Sequence, residues 1–530
     1  IIEVRQDLKI IISSATINGE IFSEYFDNAP IVHIETRVFP IQTIYVNLPS
    51  DNRDENIILK IGDIVSNEVR KKDKGDVLVF LPGERAIKEC VTHLLSSKIA
   101  RKLFIVPLYG RLSREEQERV FLKTPNGKIK VVISTNIAET SITIDGIKTV
   151  IDPGFAKINF YSPRTFTESL IESSVSKASS NQRKGRAGRT GPGTCYRLFS
   201  KRDFDSRDLF TLEEIFRTDL SEVVLQMAEL GITDFNSFDF ISKPGKQGIT
   251  GAVDTLRLLG ALESDNTLSK AGKMMVKFPL LPRNSKMLVE SIMRFPDVLE
   301  EVIIVSAFLS SHSPFLLPQG EEIEARNAQH HFRDTSGDFI SNLKLFRDYV
   351  KITNSDRKKF FCDDYYLDSR TMNMIVNIKE QLESIVSEME IPIGSGGSKK
   401  DLLCSISAGL IQFVCVKAGK SAYRSLTAAQ IHIHPGSVMF RESPAYIVAG
   451  EIVKTSRMFA RSVSTLKKEW LKDISPELAQ LVPKTRGSEH KKKKLKDSSN
   501  SISINNRVFE LIPFKGKKKI AILPWEQIRD

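Results

Sequence analysis

The sequence is poor in cysteine and has no long apolar runs. Its five cysteines (Cys90, Cys195, Cys362, Cys404 and Cys415) form no CxxC pair, which argues against a paired-cysteine zinc site and a disulfide framework. They read as reduced cytosolic or nuclear thiols, mostly buried. No apolar run reaches the roughly 18 residues that a membrane-crossing helix needs. No secretory signal opens the chain. An initial methionine is missing too: "IIEVRQDLKIIISSATI" runs at once into a β-rich apolar stretch. A protein rarely opens inside its own core, so an upstream region is expected beyond this chain.

What is present is a long, basic, ordinary globular composition. At 530 residues the chain is expected to hold about three to five domains, taking roughly 100–200 residues for each. A formal net charge of +12 points to a polyanionic partner, most simply nucleic acid. Up to about residue 200, short β-branched runs alternate with amphipathic segments. "LKIIISS" (8–14), "DVLVFLP" (76–82), "KLFIVPLYG" (102–110), "IKVVIST" (129–135), "KTVIDPG" (148–154) and "CYRLFS" (195–200) read as buried strands. "NIILKIGDIVSNEVRKK" and "ERAIKECVTHLLSS" have helical periodicity. This is the βαβ signature of a doubly wound parallel sheet.

Between about 205 and 390 the pattern turns helical. Thr211 and Glu214 have capping-box spacing at the head of an apolar stripe. "GAVDTLRLLGALESDNTLSKAGKMMVKFP" reads as helix, hairpin and helix, as in a winged-helix module. More helices are expected near 284–310, 321–332, 338–351 and 371–389, and a Gly/Ser-rich loop at 391–400. Beyond 402, short strands suggest a small barrel or sandwich, interrupted by a basic, disordered insertion at 484–503.

Four segments carry candidate chemistry at strand–loop junctions, where open parallel sheets bind ligands. The first is Ser14-Ala15-Thr16, whose hydroxyls could relay hydrogen bonds, although such a triplet alone is more often a helix N-cap. In the second, Gly83 and Glu84 follow a strand; the glycine permits a tight turn whose amides could hold a phosphate, or an ordinary βα loop. The third, "VVISTNIAETSITIDG", crowds Ser134, Thr135, Asn136, Glu139, Thr140 and Ser141 at a strand end, a density suited to phosphate and ribose oxygens. The fourth is "QRKGRAGRTG" (182–191). Arg183, Arg186 and Arg189 recur every third residue, which on a helix places them roughly on one face. Guanidinium forks match phosphate oxygens and stay charged at neutral pH. A basic RNA-gripping loop is the alternative, but such loops usually repeat, and this one occurs once, before a strand.

The order SAT, FLPG, "STNIAETSITIDG", "QRKGRAGRTG" resembles the second half of a superfamily 2 helicase motor. "NIAETSITIDG" with QRxGRAGR is similar in particular to the DEAH-box (DEAH/RHA) RNA helicases; Lys184 stands where that family usually has alanine and is expected to face solvent. "PLYGRLSREEQERVF" (107–121), "VIDPGFAK" (150–157), "SKAS" (176–179) and "FPLLPRNSKML" (278–288) fit the same family, so the resemblance covers essentially the whole chain. It implies a multidomain α/β plus α plus β protein. Residues 1–47 would be the end of a first RecA-like lobe and a linker, 48–203 a second RecA-like parallel-sheet lobe, 204–277 a winged helix, 278–398 a helical ratchet domain, and 399–530 an OB-fold barrel carrying the 484–503 insertion.

The resemblance also implies roles. Gln182, Arg186 and Arg189 would contact the phosphates of ATP, the two arginines as fingers on the γ-phosphoryl. Phe121 would stack on adenine and Asp145 would lie near the ribose. Gly83, Glu84, Ser134, Thr135, Asn136 and Thr140 would touch the RNA backbone, Ser14 and Thr16 would couple the lobes, and 154–169 would be a strand-separating β-hairpin. ATP and Mg²⁺ are the implied cofactors, with the Mg²⁺ ligands coming mainly from the first lobe.

No P-loop of the form GxxxxGK[ST] and no DExH box occurs in the chain. Gly419-Lys420-Ser421 fails as a P-loop because Val414 stands where its first glycine belongs. The chain by itself is therefore expected not to hydrolyse ATP. His432 and His434 alternate without cysteine partners and read as surface or packing residues, so no metal site is expected in the chain itself. The lysine run 491–494 reads as a solvated loop, or as nuclear targeting or an RNA contact. The expectation is a 3′-to-5′ RNA helicase of nuclear RNA processing in the nucleus or nucleolus, acting on single-stranded RNA. Ribosome biogenesis with pre-rRNA is preferred over splicing, a G-patch or ribosome-assembly partner is implied by the family, and no membrane is involved. The rivals are a non-catalytic RNA-binding scaffold and a DNA translocase.

Overall fold

Alternate side chains of a strand point to opposite faces, and in the first part of the chain both faces are apolar. The computed structural model describes residues 5, 7–13, 18–32, 34, 39–49, 51–73, 75–110, 112, 114–140, 143–318, 320–455, 457–481, 501–504, 507–510, 512–513 and 519–520. It divides into two units, Ile1–Leu481 and Val482–Asp530. The first eight strands of the larger unit are β1 (Ile41–Tyr45), β2 (Asp76–Phe80), β3 (Leu103–Leu108), β4 (Ile129–Ser134), β5 (Ile147–Asp152), β6 (Phe155–Ser162), β7 (Thr167–Ser174) and β8 (Gly193–Arg197). Six of them form one parallel sheet in the order β1-β8-β5-β2-β4-β3.

Val77, Val79, Val131, Ile133 and Ile151 pack on one side with Ile61 and Val65 of the helix Arg53–Arg70 and Ile87 and Leu94 of the helix Glu84–Leu95. Leu78, Phe80, Val132 and Val150 pack on the other side with Val120, Ala138, Ile144 and Ala187. A sheet covered on both faces needs no polar alternation, which is why its strands read as continuous apolar runs. This is the expected RecA-like lobe.

Two features depart from the expectation at its start. The run 8–14 was expected as a buried strand, but residues 8–13 form no strand and are exposed, Ile11 to 90%. A strand needs a partner, and none of the described residues pairs with this one. The sheet also takes in β1, on the far side of the boundary placed at 47/48, with Ile41 opposite Gly193 of β8. Ser14 and Thr16 lie outside the described residues.

Thr211 and Glu214 do not open a helix. Glu214–Phe216 is one 3-10 turn and the helix is Ser221–Glu229. The Thr211 hydroxyl is engaged 3.1 Å from that of Ser176, while Asp219 Oδ1 accepts from the Ser221 amide at 3.0 Å and so starts the helix later. The helix Lys246–Leu258, the bridge Leu262–Leu268 and the helix Lys270–Met275 follow as expected of a winged helix. A helical domain comes next, centred on Leu299–Leu309, a helix that is buried nearly all round. The Gly/Ser-rich loop holds firm contacts: the Gly396 amide donates to Glu301 Oε1 and the Glu300 amide to Gly394 O, each at 3.0 Å.

The strands β9 (Val414–Lys417), β10 (Tyr423–Arg424), β11 (Ile431–Ile433), β12 (Tyr446–Lys454) and β13 (Met458–Leu466) run in the order β13-β11-β10-β9-β12 and close through β12–β13 pairing. This five-stranded barrel has the OB-fold form. Asp338 ties it to the helical domain, accepting from the amides of Val438 at 2.9 Å and Val463 at 2.7 Å. The β6–β7 hairpin leaves the RecA-like lobe and joins the barrel sheet, β7 lying parallel to β12 at Glu168–Val453 and Ser169–Lys454.

In the smaller unit β14 (Ser501–Ile504) pairs with β15 (Arg507–Glu510), and β16 (Ile512–Pro513) with β17 (Lys519–Ile520). The insertion expected to be disordered to 503 thus ends in a strand that begins at Ser501, and the lysines 491–494 fall outside the described residues.

Gly193, where the fourth segment enters β8, is a close approach. A Cβ there would meet Ala187 O at 2.3 Å and Lys148 O at 2.8 Å, both backbone atoms. Gly193→Ala is expected to cost about 1–3 kcal/mol through overpacking. Urea unfolding followed by circular dichroism measures this, and an unchanged midpoint would contradict the close contact.

Candidate functional site

The fourth segment starts as a helix, Lys177–Gly185, because Ser176 caps it by accepting from the Ser179 amide at 3.1 Å. It then tightens into the 3-10 turn Arg186–Gly188 before β8. The three arginines differ in depth but all donate into one neighbouring segment, Arg183 and Arg186 to Glu139 and Arg189 to Thr143. Arg183 is turned fully inside, Arg186 is buried, and Arg189 is exposed. Lys184, expected to face solvent, is half-buried.

Arg183 is the centre of a buried ion cluster. Its Nε donates to Glu139 Oε2 at 3.0 Å, and its Nη1 donates to Asp152 Oδ1 at 2.8 Å and to Phe155 O at 3.1 Å. The guanidinium carbon lies 4.7 Å from the centre of the Phe80 ring. Burial pulls the pKa of Arg183 down, but Asp152 and Glu139 outweigh it and hold the group above its ordinary value. The cation is therefore permanent, and it joins the third and fourth segments.

Arg186 and Arg189 reinforce that junction. Arg186 donates to the backbone carbonyl of Glu139, and Arg189 to the Thr143 hydroxyl. Burial first, and then the like charge of Arg189, push the Arg186 pKa down to about 10, against an opposing pull from Glu139. Both causes disfavour the cation and both would be relieved by an anion. Leu78, Ala138, Ile144 and Ile147 are buried beside the two arginines.

The sheet sorts the predicted residues by edge. At the carboxyl ends of β2 and β4 lie Gly83, which precedes the helix Glu84–Leu95; Glu84, 2.9 Å from Lys88 Nζ; and Ser134, fully buried with its hydroxyl donating to Thr135 O at 2.9 Å. Thr135 and Asn136 follow, the first half-buried and the second exposed, and Thr140 closes the turn Ile137–Thr140. The Lys157 ammonium lies 3.1 Å from where a Gly83 Cβ would stand. At the amino edge, exposed Asp145 precedes Gly146, whose carbonyl accepts from the Asp76 amide at 2.9 Å. Phe121, 59% exposed, ends the turn whose Val120 carbonyl accepts from Lys130 Nζ at 3.0 Å. Gln182 is half-buried on the helix. The third and fourth segments both run from the carboxyl edge, across one face of the sheet, to the amino edge. The fourth segment therefore precedes its strand and was misplaced at a carboxyl end.

Sequence reasoning missed Arg183, Glu139 and Asp152 as a unit. A signal existed: "TVID" ends a buried strand in a carboxylate, and a carboxylate at zero exposure needs a cation.

The three parts of this architecture are known domain types. Residues 60–191 match the helicase conserved C-terminal domain, 281–342 the ratchet-like helicase associated domain HA2, and 402–478 the oligonucleotide/oligosaccharide-binding OB-fold. Together with the relatives below, these matches liken the chain to DEAH-box, superfamily 2 RNA helicases. The chain is 47% identical over 472 residues to the ATP-dependent RNA helicase HrpA of Borreliella burgdorferi, covering 89% of this chain and 57% of that protein. It is 36% identical over 486 residues to the HrpA homolog of Haemophilus influenzae (89% of this chain, 37% of that protein). To the HrpA of Escherichia coli it is 36% identical over 498 residues (92% and 38%). The chain thus spans little more than half of the first of these relatives and under two fifths of the other two.

These findings correct the cellular expectations. The relatives come from bacteria, which have no nucleus, so the nuclear and nucleolar placement falls. The ribosome-biogenesis branch is likewise without support.

Removing one partner of a buried pair leaves an uncompensated charge. Asp152→Ala is expected to destabilise by about 3–5 kcal/mol, whereas Arg189→Ala, at an exposed group, should stay within about 0.5 kcal/mol. Thermal melting of the two variants checks the contrast; equal effects would contradict the assignment of Arg183 as the buried centre.

Proposed function

We propose that this chain supplies the second motor lobe and the accessory domains of an ATP-dependent RNA helicase that moves 3′ to 5′ along single-stranded RNA. What supports the reading most is the pair Arg186 and Arg189, one buried and one exposed, each hydrogen-bonded to the neighbouring segment that carries RNA-side residues. ATP would be held by Gln182, Arg186 and Arg189, with Phe121 and Asp145 at the same edge for adenine and ribose. Among the described residues no group of three or more His, Cys, Asp or Glu could hold a metal ion. Mg²⁺ therefore belongs to this reading only as the companion of ATP, with its protein ligands on an upstream lobe.

Function follows from the electrostatics. With no anion present, Arg186 bears the cost of burial and of its neighbour's charge. A γ-phosphate relieves both, so binding draws the two lobes together, and the guanidinium groups stabilise charge on the transferring phosphoryl. Once phosphate leaves, the anion that bridges the lobes is gone and the cleft opens. The RNA-side residues at the other edge of the sheet move with the lobe and advance the strand.

Fingers of this kind are typically worth about 10³–10⁵ in rate. In the complete protein, Arg186→Ala is expected to remove RNA-stimulated ATP turnover on that scale while RNA binding, measured by filter retention, stays largely intact. Surviving turnover would overturn the finger assignment. RNA should also stimulate more strongly than DNA of the same sequence. Residues 1–530 alone, having no P-loop or DExH box, are expected to bind single-stranded RNA without hydrolysing ATP, as a phosphate-release assay checks.

A further inference from the structure

Arg183 lies between the two halves of the site without belonging to either. It reaches Glu139 in the RNA-side segment, Asp152 at the end of β5, the carbonyl of Phe155 at the first residue of the hairpin, and the ring of Phe80 three residues before Gly83. Glu139 is used twice: its carboxylate accepts from Arg183 and its backbone carbonyl accepts from Arg186. A displacement of Glu139 therefore moves the acceptor that aims a finger.

The cluster also has a second arrangement within reach. Asp152 is fully buried, and its Oδ1 accepts from Arg183 and from the Gly154 amide at 2.9 Å. Its Oδ2 has no hydrogen-bond partner. A guanidinium fork takes a carboxylate by both oxygens when geometry permits. Arg183 can thus share itself between Glu139 and Asp152, as it does here, or take both oxygens of Asp152 and release Glu139. In either state the cation remains paired, and the released Glu139 carboxylate, at 14% exposure, still has the Arg186 charge beside it, so neither state leaves a buried charge uncompensated. Energetic coupling between two sites needs an element of this kind, with two discrete arrangements that both sites can bias.

We infer that Arg183, with Glu139 and Asp152, is a positioning switch: RNA seated on the Thr135–Thr140 segment holds Glu139 against Arg183, and this fixes the Glu139 carbonyl that orients Arg186 toward the γ-phosphate. Without RNA, Arg183 goes over to Asp152, Glu139 loosens, and the finger loses its aim. The inference rests on the finger reading of Arg186. It adds that RNA stimulation of ATP turnover passes through one buried guanidinium.

The test separates the two readings in the complete protein. Glu139→Gln keeps an acceptor for Arg183 but removes the charge that competes with Asp152. Arg183→Lys keeps a cation but removes the fork. Each is measured for ATP turnover with and without saturating poly(U), for ATP affinity, and for melting temperature. The expected result is a fall of about tenfold in the ratio of stimulated to basal turnover, within the usual range for coupling between sites, with a much smaller change in basal turnover and in ATP KM. Arg186→Ala in parallel should lower basal and stimulated turnover together. If Glu139→Gln and Arg183→Lys lower both rates in the same proportion, or leave the ratio intact, the switch is overturned while the finger reading stands. If Arg186→Ala turns over normally, the finger reading fails, whatever the two ratios show.

Discussion

One buried cation organises this lobe. The Arg183 guanidinium gives up its water and receives two carboxylates, a carbonyl and an aromatic face in return. An ion taken from water costs several kcal/mol unless its partners are close and well aimed, so the four structures that provide those partners cannot drift apart independently. They are the end of β2, the segment after β4, the end of β5 and the start of the hairpin. The helix Lys177–Gly185 is held to the sheet by this charge as much as by its apolar contacts, which are few.

Around that centre the parallel sheet does the spatial sorting. Its carboxyl edge presents the small polar residues after β2 and β4, and its amino edge presents Asp145 and the approach to Phe121. Two crossing segments connect the edges on one face, and Ala138, Ile144 and Ala187 bury them against Leu78 and Val150. The two edges thus share a single core, and little chain is needed to relate the polar residues at one to those at the other.

Much of this was readable in the amino-acid order. Five of the six strands expected in the α/β part form, because wholly apolar β-branched runs flanked by amphipathic helices have few other ways to be buried. The exception, 8–14, has the same composition, yet residues 8–13 have no partner strand in the described structure, and composition alone does not provide one. The capping-box reading at Thr211 failed because its hydroxyl is engaged by Ser176, a residue far away in sequence. The arginine triplet was recognised by its types and spacing, but spacing says nothing of depth. Glu139, Asp152 and the Phe155 carbonyl take Arg183 inside, while Arg189 stays exposed. Cellular placement, inferred from charge and family habit, has no physical basis in the fold, and the bacterial relatives overturned it.

The hairpin belongs to two bodies at once. It grows from the RecA-like lobe after β5, and yet β7 is a strand of the barrel's sheet through only two residue pairs, Glu168–Val453 and Ser169–Lys454. Backbone hydrogen bonds contribute about 1 kcal/mol each after water is accounted for. A seam that short is weak beside either core, so on energetic grounds it is the joint expected to part first if lobe and barrel are pulled apart.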